Sequence, residues 1–91
     1  MILSTMSSIE DIVQQMRKNP KGIRFKDLRQ VCDSYFGKPR RSSTSHRVYK
    51  APWPGDPRVN IQNKKGMAKA YQVKQVLRAI ELMEVESDTG E

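Results

Sequence analysis

The chain contains a single histidine, His46, which follows a run of serines and lies among basic residues. Histidine is the side chain whose ordinary pKa, about 6.5, lets it exchange protons near neutral pH. A positioned general acid or base accelerates a reaction by about 10²- to 10⁴-fold. His46 is therefore the first candidate for catalysis, and its plain alternative is an exposed polar residue of a strand.

Basic residues surround this histidine at high density. The 91 residues carry a net charge of +7. Residues 37–80 hold eleven lysines and arginines against the single acid Asp56, a charge of +10, whereas residues 81–91 hold five acids and no base. Such a block favours a polyanionic partner, nucleic acid first, because each cation near a phosphate releases condensed counterions. A solvated charged surface is the alternative. The predicted RNA- or phosphate-binding residues are Arg40, Arg41, Arg47, Lys50, Lys64, Lys65 and Lys69.

A histidine within a basic surface is the minimum for RNA cleavage without a metal ion. We expect His46 to deprotonate a ribose 2′-hydroxyl, whose oxygen then attacks the adjacent phosphorus. Arg47, Lys50 and Lys64 are the candidates for stabilising the extra negative charge of the transition state. The sequence leaves open whether water, a lysine, a tyrosine or His46 itself protonates the leaving 5′-oxygen.

Composition argues against several other classes of protein. One cysteine permits no internal disulfide, and one cysteine with one histidine falls short of a zinc site. The sequence contains no glycine-rich phosphate loop, so we expect no nucleotide cofactor, and for want of ligands we expect no metal. No segment approaches the roughly 20 apolar residues of a membrane span, and residues 1–6 lack the charged start of a signal peptide. The sequence therefore predicts a soluble, cytoplasmic protein that binds no membrane.

The first third of the chain has the pattern of two helices. Ser7 and Ser8 precede Glu10 and Asp11 at capping-box spacing, and the apolar residues that follow predict a helix over about 8–18.

A second helix is predicted over about 25–35. It follows an Asn-Pro-Lys-Gly break and ends before Gly37 and Pro39. Cys32 falls on its apolar stripe, so we expect a small buried core residue rather than a reactive thiol.

After residue 37 the pattern changes to short β-branched and aromatic segments between turns. On the middle segment the pattern does not decide whether Val48 or Tyr49 points inward. The predicted elements are strands at about 38–42, 46–51 and 58–62, a basic loop over 64–69 and a last helix over about 70–83.

This order of elements predicts an α+β fold. We expect a two-layer sandwich whose three-stranded antiparallel sheet carries helices on one face and leaves the other face for a partner. Residues 1–83 form the predicted domain, and residues 84–91 the predicted acidic, solvated tail.

Trp53 lies in a proline-rich hairpin segment, Ala-Pro-Trp-Pro-Gly-Asp-Pro. Its ring is suited to stacking on a base, to closing one end of the small core, or to a protein interface. The sequence does not choose among these roles.

Three segments resemble the HicA-type mRNA interferase toxins of bacterial toxin–antitoxin pairs. They are residues 19–25 (NPKGIRF) before a helix, residues 44–49 (TSHRVY) at a strand start, and residues 71–77 (YQVKQVL) opening the last helix. Their order and spacing extend the resemblance over about residues 9–83.

The resemblance implies a double-stranded-RNA-binding-like fold with an added N-terminal helix, and degradation of mRNA without a metal. It also implies that His46 is the catalytic residue and that a HicB-type antitoxin neutralises the protein. Thr44 departs from the family, which usually has glycine at this position, so we expect either a different backbone leading into His46 or a turn elsewhere in the serine run.

Two other functions fit the same residues. A non-catalytic double-stranded-RNA-binding module would read A-form shape through phosphates and 2′-hydroxyls and needs no histidine. A protein-interaction domain would instead dock an acidic protein on the basic face.

Overall fold

The computed structural model describes residues 8–43, 45–51 and 58–89, with side chains described up to Glu84. These residues form a small α+β domain with three α-helices and one antiparallel four-stranded sheet, which confirms the predicted α+β class. No helix in the described part of the chain is long and apolar enough to cross a membrane. The elements are α1 (Ile9–Lys18), a 3₁₀ turn (Pro20–Gly22), α2 (Phe25–Phe36), β1 (Arg41–Ser42), β2 (His46–Lys50), β3 (Arg58–Lys64), β4 (Met67–Ala68) and α3 (Ala70–Thr89).

Helix α1 begins where its capping box predicts. The Ser8 hydroxyl accepts the Asp11 N–H at 3.2 Å, and the Asp11 carboxylate accepts the Ser8 N–H at 3.4 Å. These two bonds satisfy backbone donors that the first helical turn leaves unpaired. Ile12, Val13 and Met16 form its buried stripe, which packs against α2 and α3.

The pairing of β2 with β3 decides which side chains face the helices. Tyr49 lies opposite Val59 and Arg47 lies opposite Ile61, so these four residues share one face of the sheet. Tyr49, Val59 and Ile61 belong to one core with residues of all three helices. Val48 lies on the other face and outside that core. Of the two residues that the sequence left undecided, Tyr49 is therefore the one that points towards the helices.

Cys32 occupies the centre of this core. Its side chain is fully buried, as its place on the apolar stripe of α2 predicts. Burial, and to a smaller degree the neighbouring charge of Asp33, raise the pKa of the thiol far above its usual range. A thiol held protonated in this way is a packing residue rather than a nucleophile.

The predicted three-stranded sheet is wrong, because the sheet has a fourth strand. The loop predicted over 64–69 contains β4, which pairs with the end of β3. The two strands are joined by Lys65 and Gly66, whose φ angles of 54° and 85° are both left-handed. Two such residues match a type I′ hairpin turn. The Asn63 carboxamide oxygen accepts the Gly66 N–H at 2.6 Å and fixes it.

Three further boundaries differ from the prediction. Strand β3 continues to Lys64 rather than ending at 62. Strand β1 covers only 41–42 rather than 38–42. Helix α3 continues to Thr89, so most of the predicted acidic tail over 84–91 is helical backbone. Helix propensity explains this extension, because glutamates favour helix and no glycine or proline interrupts residues 70–89.

Helix α3 is attached to the sheet by a buried polar side chain. Gln72 is 3% exposed, and its carboxamide oxygen accepts the Gln62 N–H at 2.7 Å. This backbone donor lies on β3 just beyond the last residue paired with β4. The side chain of Gln72 therefore replaces a strand partner at this edge and holds the first turn of α3 there.

Candidate nucleic-acid interface

We use the name outer face for the face of the sheet that points away from the helices. Alternation along the paired strands assigns its residues, since Val48 lies opposite both Arg41 of β1 and Asn60 of β3. His46 is exposed on this face as the first residue of β2. The titratable residues of the outer face are Arg41, His46, Lys50, Arg58 and Lys64.

The backbone of His46 is held from both neighbouring strands. Its carbonyl accepts the Ser43 N–H at 2.8 Å and the Ser43 hydroxyl at 3.2 Å. On the other side the Ser45 carbonyl accepts the Asn63 N–H at 2.8 Å. The entrance to β2 is thus tied to β1 and β3. Thr44, where the sequence departs from the HicA pattern, lies outside the described residues.

Two cations flank His46 diagonally on the outer face. Gln62 lies directly opposite His46, which places Lys64 one diagonal step away on β3. Arg41 lies opposite Val48 and is the corresponding diagonal neighbour on β1. Diagonal neighbours in a sheet have Cα atoms about 7–8 Å apart, within reach of long side chains. Arg41 and Lys64 can therefore contact a phosphate group held beside His46.

Lys50 lies at the other end of the same strand. It is four positions after His46, which corresponds to about 13 Å along an extended strand. It is exposed, and it lies directly opposite Arg58. This position suits contact with a different phosphate rather than with the one beside His46.

Arg47 is not brought together with His46. It points to the helix layer, where its guanidinium lies 3.6 Å from the Asp33 carboxylate with 22% of its side chain exposed. The Tyr49 hydroxyl donates to the same carboxylate oxygen at 2.6 Å. Burial first, and then this hydrogen bond, raise the pKa of the Tyr49 phenol. We call these three residues the Asp33 cluster, and Arg47 has its contacts there.

The other predicted binding residues occupy separate places. Arg40 is exposed just before β1, and Lys65 is exposed at the tip of the β3–β4 turn. Lys69 is half-buried, and its carbonyl accepts the N–H groups of Gln72 and Val73 in the first turn of α3. Trp53 lies outside the described residues, so its predicted roles in base stacking, core closure or a protein interface stay predictions.

A second group of cations was missed by the sequence analysis. Arg24, Lys26, Arg29 and Lys65 line an open cleft of about 500 Å³ between the start of α2 and the β3–β4 turn. We call it the α2 cleft. Counting charge along the chain hid the first three, since residues 1–36 also contain four acids and look nearly neutral. The available signal was their local grouping around the start of a predicted helix.

Within the described ranges, no group of three or more His, Cys, Asp or Glu residues is placed to hold a metal ion. In comparisons with known proteins, no family model, curated protein or solved structure matches this chain. The class of protein that the structure defines is therefore a small α+β domain with a basic sheet face. The resemblance to HicA-type toxins stays a prediction from the three sequence segments.

Proposed function

We propose that this domain is an endoribonuclease that binds RNA on the outer face and cleaves it with His46 as the general base. One observation supports the proposal above the others. His46 is exposed on the outer face, and Arg41 and Lys64 flank it from the two adjacent strands. A proton acceptor between two cations is the arrangement that transesterification of an RNA phosphodiester needs.

The proposed reaction has one bond-forming and one bond-breaking event. His46 takes the proton of a ribose 2′-hydroxyl, and the 2′-oxygen forms a bond to the adjacent phosphorus. The bond from phosphorus to the 5′-oxygen breaks, and that oxygen is protonated as it leaves. The products are a 2′,3′-cyclic phosphate and a 5′-hydroxyl end. Arg41 and Lys64 stabilise the negative charge of the transition state. Arg47 and Lys50, which the sequence suggests for this role, lie on the other face and too far from His46, respectively.

The biological role that we propose is the toxin of a toxin–antitoxin pair, cutting mRNA in the cytoplasm to stop translation and growth. The order α2, β1, β2, β3, α3 supports a double-stranded-RNA-binding-like arrangement extended by α1 and β4. A HicB-type antitoxin would neutralise the protein by covering the outer face. An acidic surface on that partner would suit the basic residues there.

The test is cleavage of end-labelled single-stranded RNA by the purified chain in EDTA. Replacing His46 with Ala should slow cleavage by about 10²- to 10⁴-fold and leave RNA affinity nearly unchanged. Lys74→Ala, an exposed change on α3, is the control for effects of substitution elsewhere. Fragments of the wild-type reaction should end in cyclic phosphate. Unchanged cleavage by His46→Ala would falsify the mechanism.

A non-catalytic RNA-binding module is the second candidate, and one observation favours it. None of the described residues forms a hydrogen bond with the His46 imidazole, whereas a general base is usually oriented by a third group. The same assay separates the two functions. A protein that only binds RNA would slow the migration of double-stranded RNA on a native gel. It would release no cyclic-phosphate fragments from any RNA.

A further inference from the structure

We propose that the α2 cleft is a second binding subsite for the phosphates of the RNA chain. The inference rests on the proposed function, and it adds three residues that the charge pattern did not indicate: Arg24, Lys26 and Arg29. Its ligand is the RNA backbone as it continues past His46.

The first argument is the charge of the cleft. Four of its eight lining residues are cations, and none is an acid. Among the described residues, none of the four cations forms an ion pair or a side-chain hydrogen bond. Arg47, by contrast, has its charge offset by Asp33. Four cations around one space repel each other, and an anionic ligand relieves that repulsion.

The second argument is that the backbone holds these residues in place. Arg24 forms a β-bridge with Met67, and the Phe25 N–H donates to the Gly66 carbonyl at 3.0 Å. The Ala68 N–H donates to the Ile23 carbonyl at 2.8 Å. The start of α2 is thereby paired to the β3–β4 hairpin. A site assembled before its ligand arrives loses less entropy on binding.

The third argument is position relative to His46. Asn63 lines the cleft, and its backbone N–H donates to the carbonyl of Ser45, the residue before His46. The cleft and His46 therefore lie at the same end of the sheet. Lys64, which pairs with the cleft residue Met67, lies between His46 and the cleft. An RNA strand bound at His46 can continue over this pair to the cleft.

The lining favours phosphate over a protein partner. Its large apolar side chains are Phe25, which is 4% exposed, and Met67, which is 37% exposed. Protein interfaces usually depend on aromatic anchors inserted into an apolar pocket. Arginine side chains instead fit the oxygens of phosphate through paired N–H donors.

The experiment measures affinity for a fluorescent single-stranded RNA by anisotropy, with His46→Ala in every protein so that the RNA stays intact. The cleft variant carries Arg24→Gln, Lys26→Gln and Arg29→Gln. The matched control removes three charges elsewhere, with Lys18→Gln, Lys74→Gln and Arg78→Gln on the exposed surfaces of α1 and α3. Thermal unfolding confirms that both variants fold.

We expect the cleft variant to bind RNA about 10- to 100-fold more weakly at low salt. Each lost phosphate contact should also reduce the slope of log affinity against log salt concentration by about 0.7. The RNA affinity of the control should fall by no more than about 3-fold, since its substitutions change only the overall electrostatic field of the protein.

Lys65→Asn gives an independent variant with one charge removed. Asparagine tolerates the left-handed backbone that Lys65 adopts, so the turn is kept. The affinity of Lys65→Asn for RNA should fall by several fold. Because the turn geometry is kept, this loss would come from the missing charge.

Equal losses in the cleft variant and the matched control would overturn the inference, because net charge alone would account for both. Unchanged RNA affinity in the cleft variant, with cleavage by the wild type intact, would overturn the inference and leave the proposed function standing. Weakened binding of an acidic protein by that variant, without any effect on RNA, would assign the cleft to a protein. Failure of the His46→Ala parent to bind RNA would remove both proposals.

Discussion

The two faces of strand β2 hold the same kinds of residue and use them differently. On the outer face His46 and Lys50 are exposed. On the inner face Arg47 and Tyr49, which are the chain neighbours of His46 and Lys50, meet Asp33 beneath the sheet. Alternation alone separates them. The cations of one basic strand are thus divided between an exposed face and a packed face, and charge density along the chain does not tell which cation belongs to which face.

The largest expected difference between the faces is in stability, and two adjacent alanine substitutions measure it. Tyr49→Ala should lower the free energy of unfolding by about 3–5 kcal/mol, because a fully buried ring is lost from the core. Val48→Ala should cost about 1 kcal/mol, since Val48, although only 8% exposed, lies outside the main core cluster. Urea unfolding followed by circular dichroism gives both values. Similar losses at the two positions would contradict the assignment of faces.

The next effect concerns RNA cleavage. The double variant Arg41→Gln, Lys64→Gln should cleave about 10²-fold more slowly, because two cations beside His46 are lost from the transition state. Arg47→Gln should leave the rate of the folded protein close to wild type. Initial rates at low temperature, where both variants are folded, provide the comparison. A slower Arg47→Gln together with a normal double variant would reverse the two roles.

A smaller effect concerns the Asp33 cluster and pH. Tyr49→Phe should cost about 1–2 kcal/mol at neutral pH through the lost hydrogen bond to a carboxylate. Because the folded pKa of the Tyr49 phenol is raised, its contribution is complete below the unfolded pKa of about 10 and is lost as pH rises further.

The measurement is urea unfolding of wild type and Tyr49→Phe between pH 7 and about pH 11. Cys32 also titrates in the unfolded chain, from about pH 8.5, but it affects both proteins equally. The two stability curves should therefore converge above pH 10. Parallel curves throughout would show that the phenol does not carry this alkaline dependence.

The smallest expected effect is on stability, at the turn that joins β3 to β4. Lys65→Gly should raise the free energy of unfolding by up to about 1 kcal/mol, since glycine adopts the left-handed conformation without strain. Gly66→Ala at the neighbouring position, also left-handed, should lower it by a similar amount. A loss of stability in Lys65→Gly would indicate that the lysine side chain itself stabilises the hairpin.

The features predicted correctly are those that depend on neighbouring residues. The cap and apolar spacing place α1 and α2, and the alternation of Val59 and Ile61 places β3. The position of His46 at the entrance of β2 also follows from the sequence. Strand β4 was missed because two residues are too few to show any alternation.

The features that could not be predicted depend on residues distant in the chain. Arg47 looks like any other cation of the basic block until α2 brings Asp33 beneath it. Both Val48 and Tyr49 are suited to a core, and the pairing with β3 selects one. The α2 cleft joins residues 24–29 to residues 63–67, so no local pattern contains it.

The burial of Cys32 gives the protein a built-in reporter of its own opening. It is the only cysteine in the chain, and no part of it is exposed in the fold. A thiol-specific reagent can therefore label the native protein only during excursions in which the core opens. When closing is fast relative to labelling, the ratio of native to unfolded labelling rates gives the free energy of that opening without any denaturant. RNA or an antitoxin bound only to the folded state would slow this labelling in proportion to its occupancy, which turns one inert side chain into a binding assay.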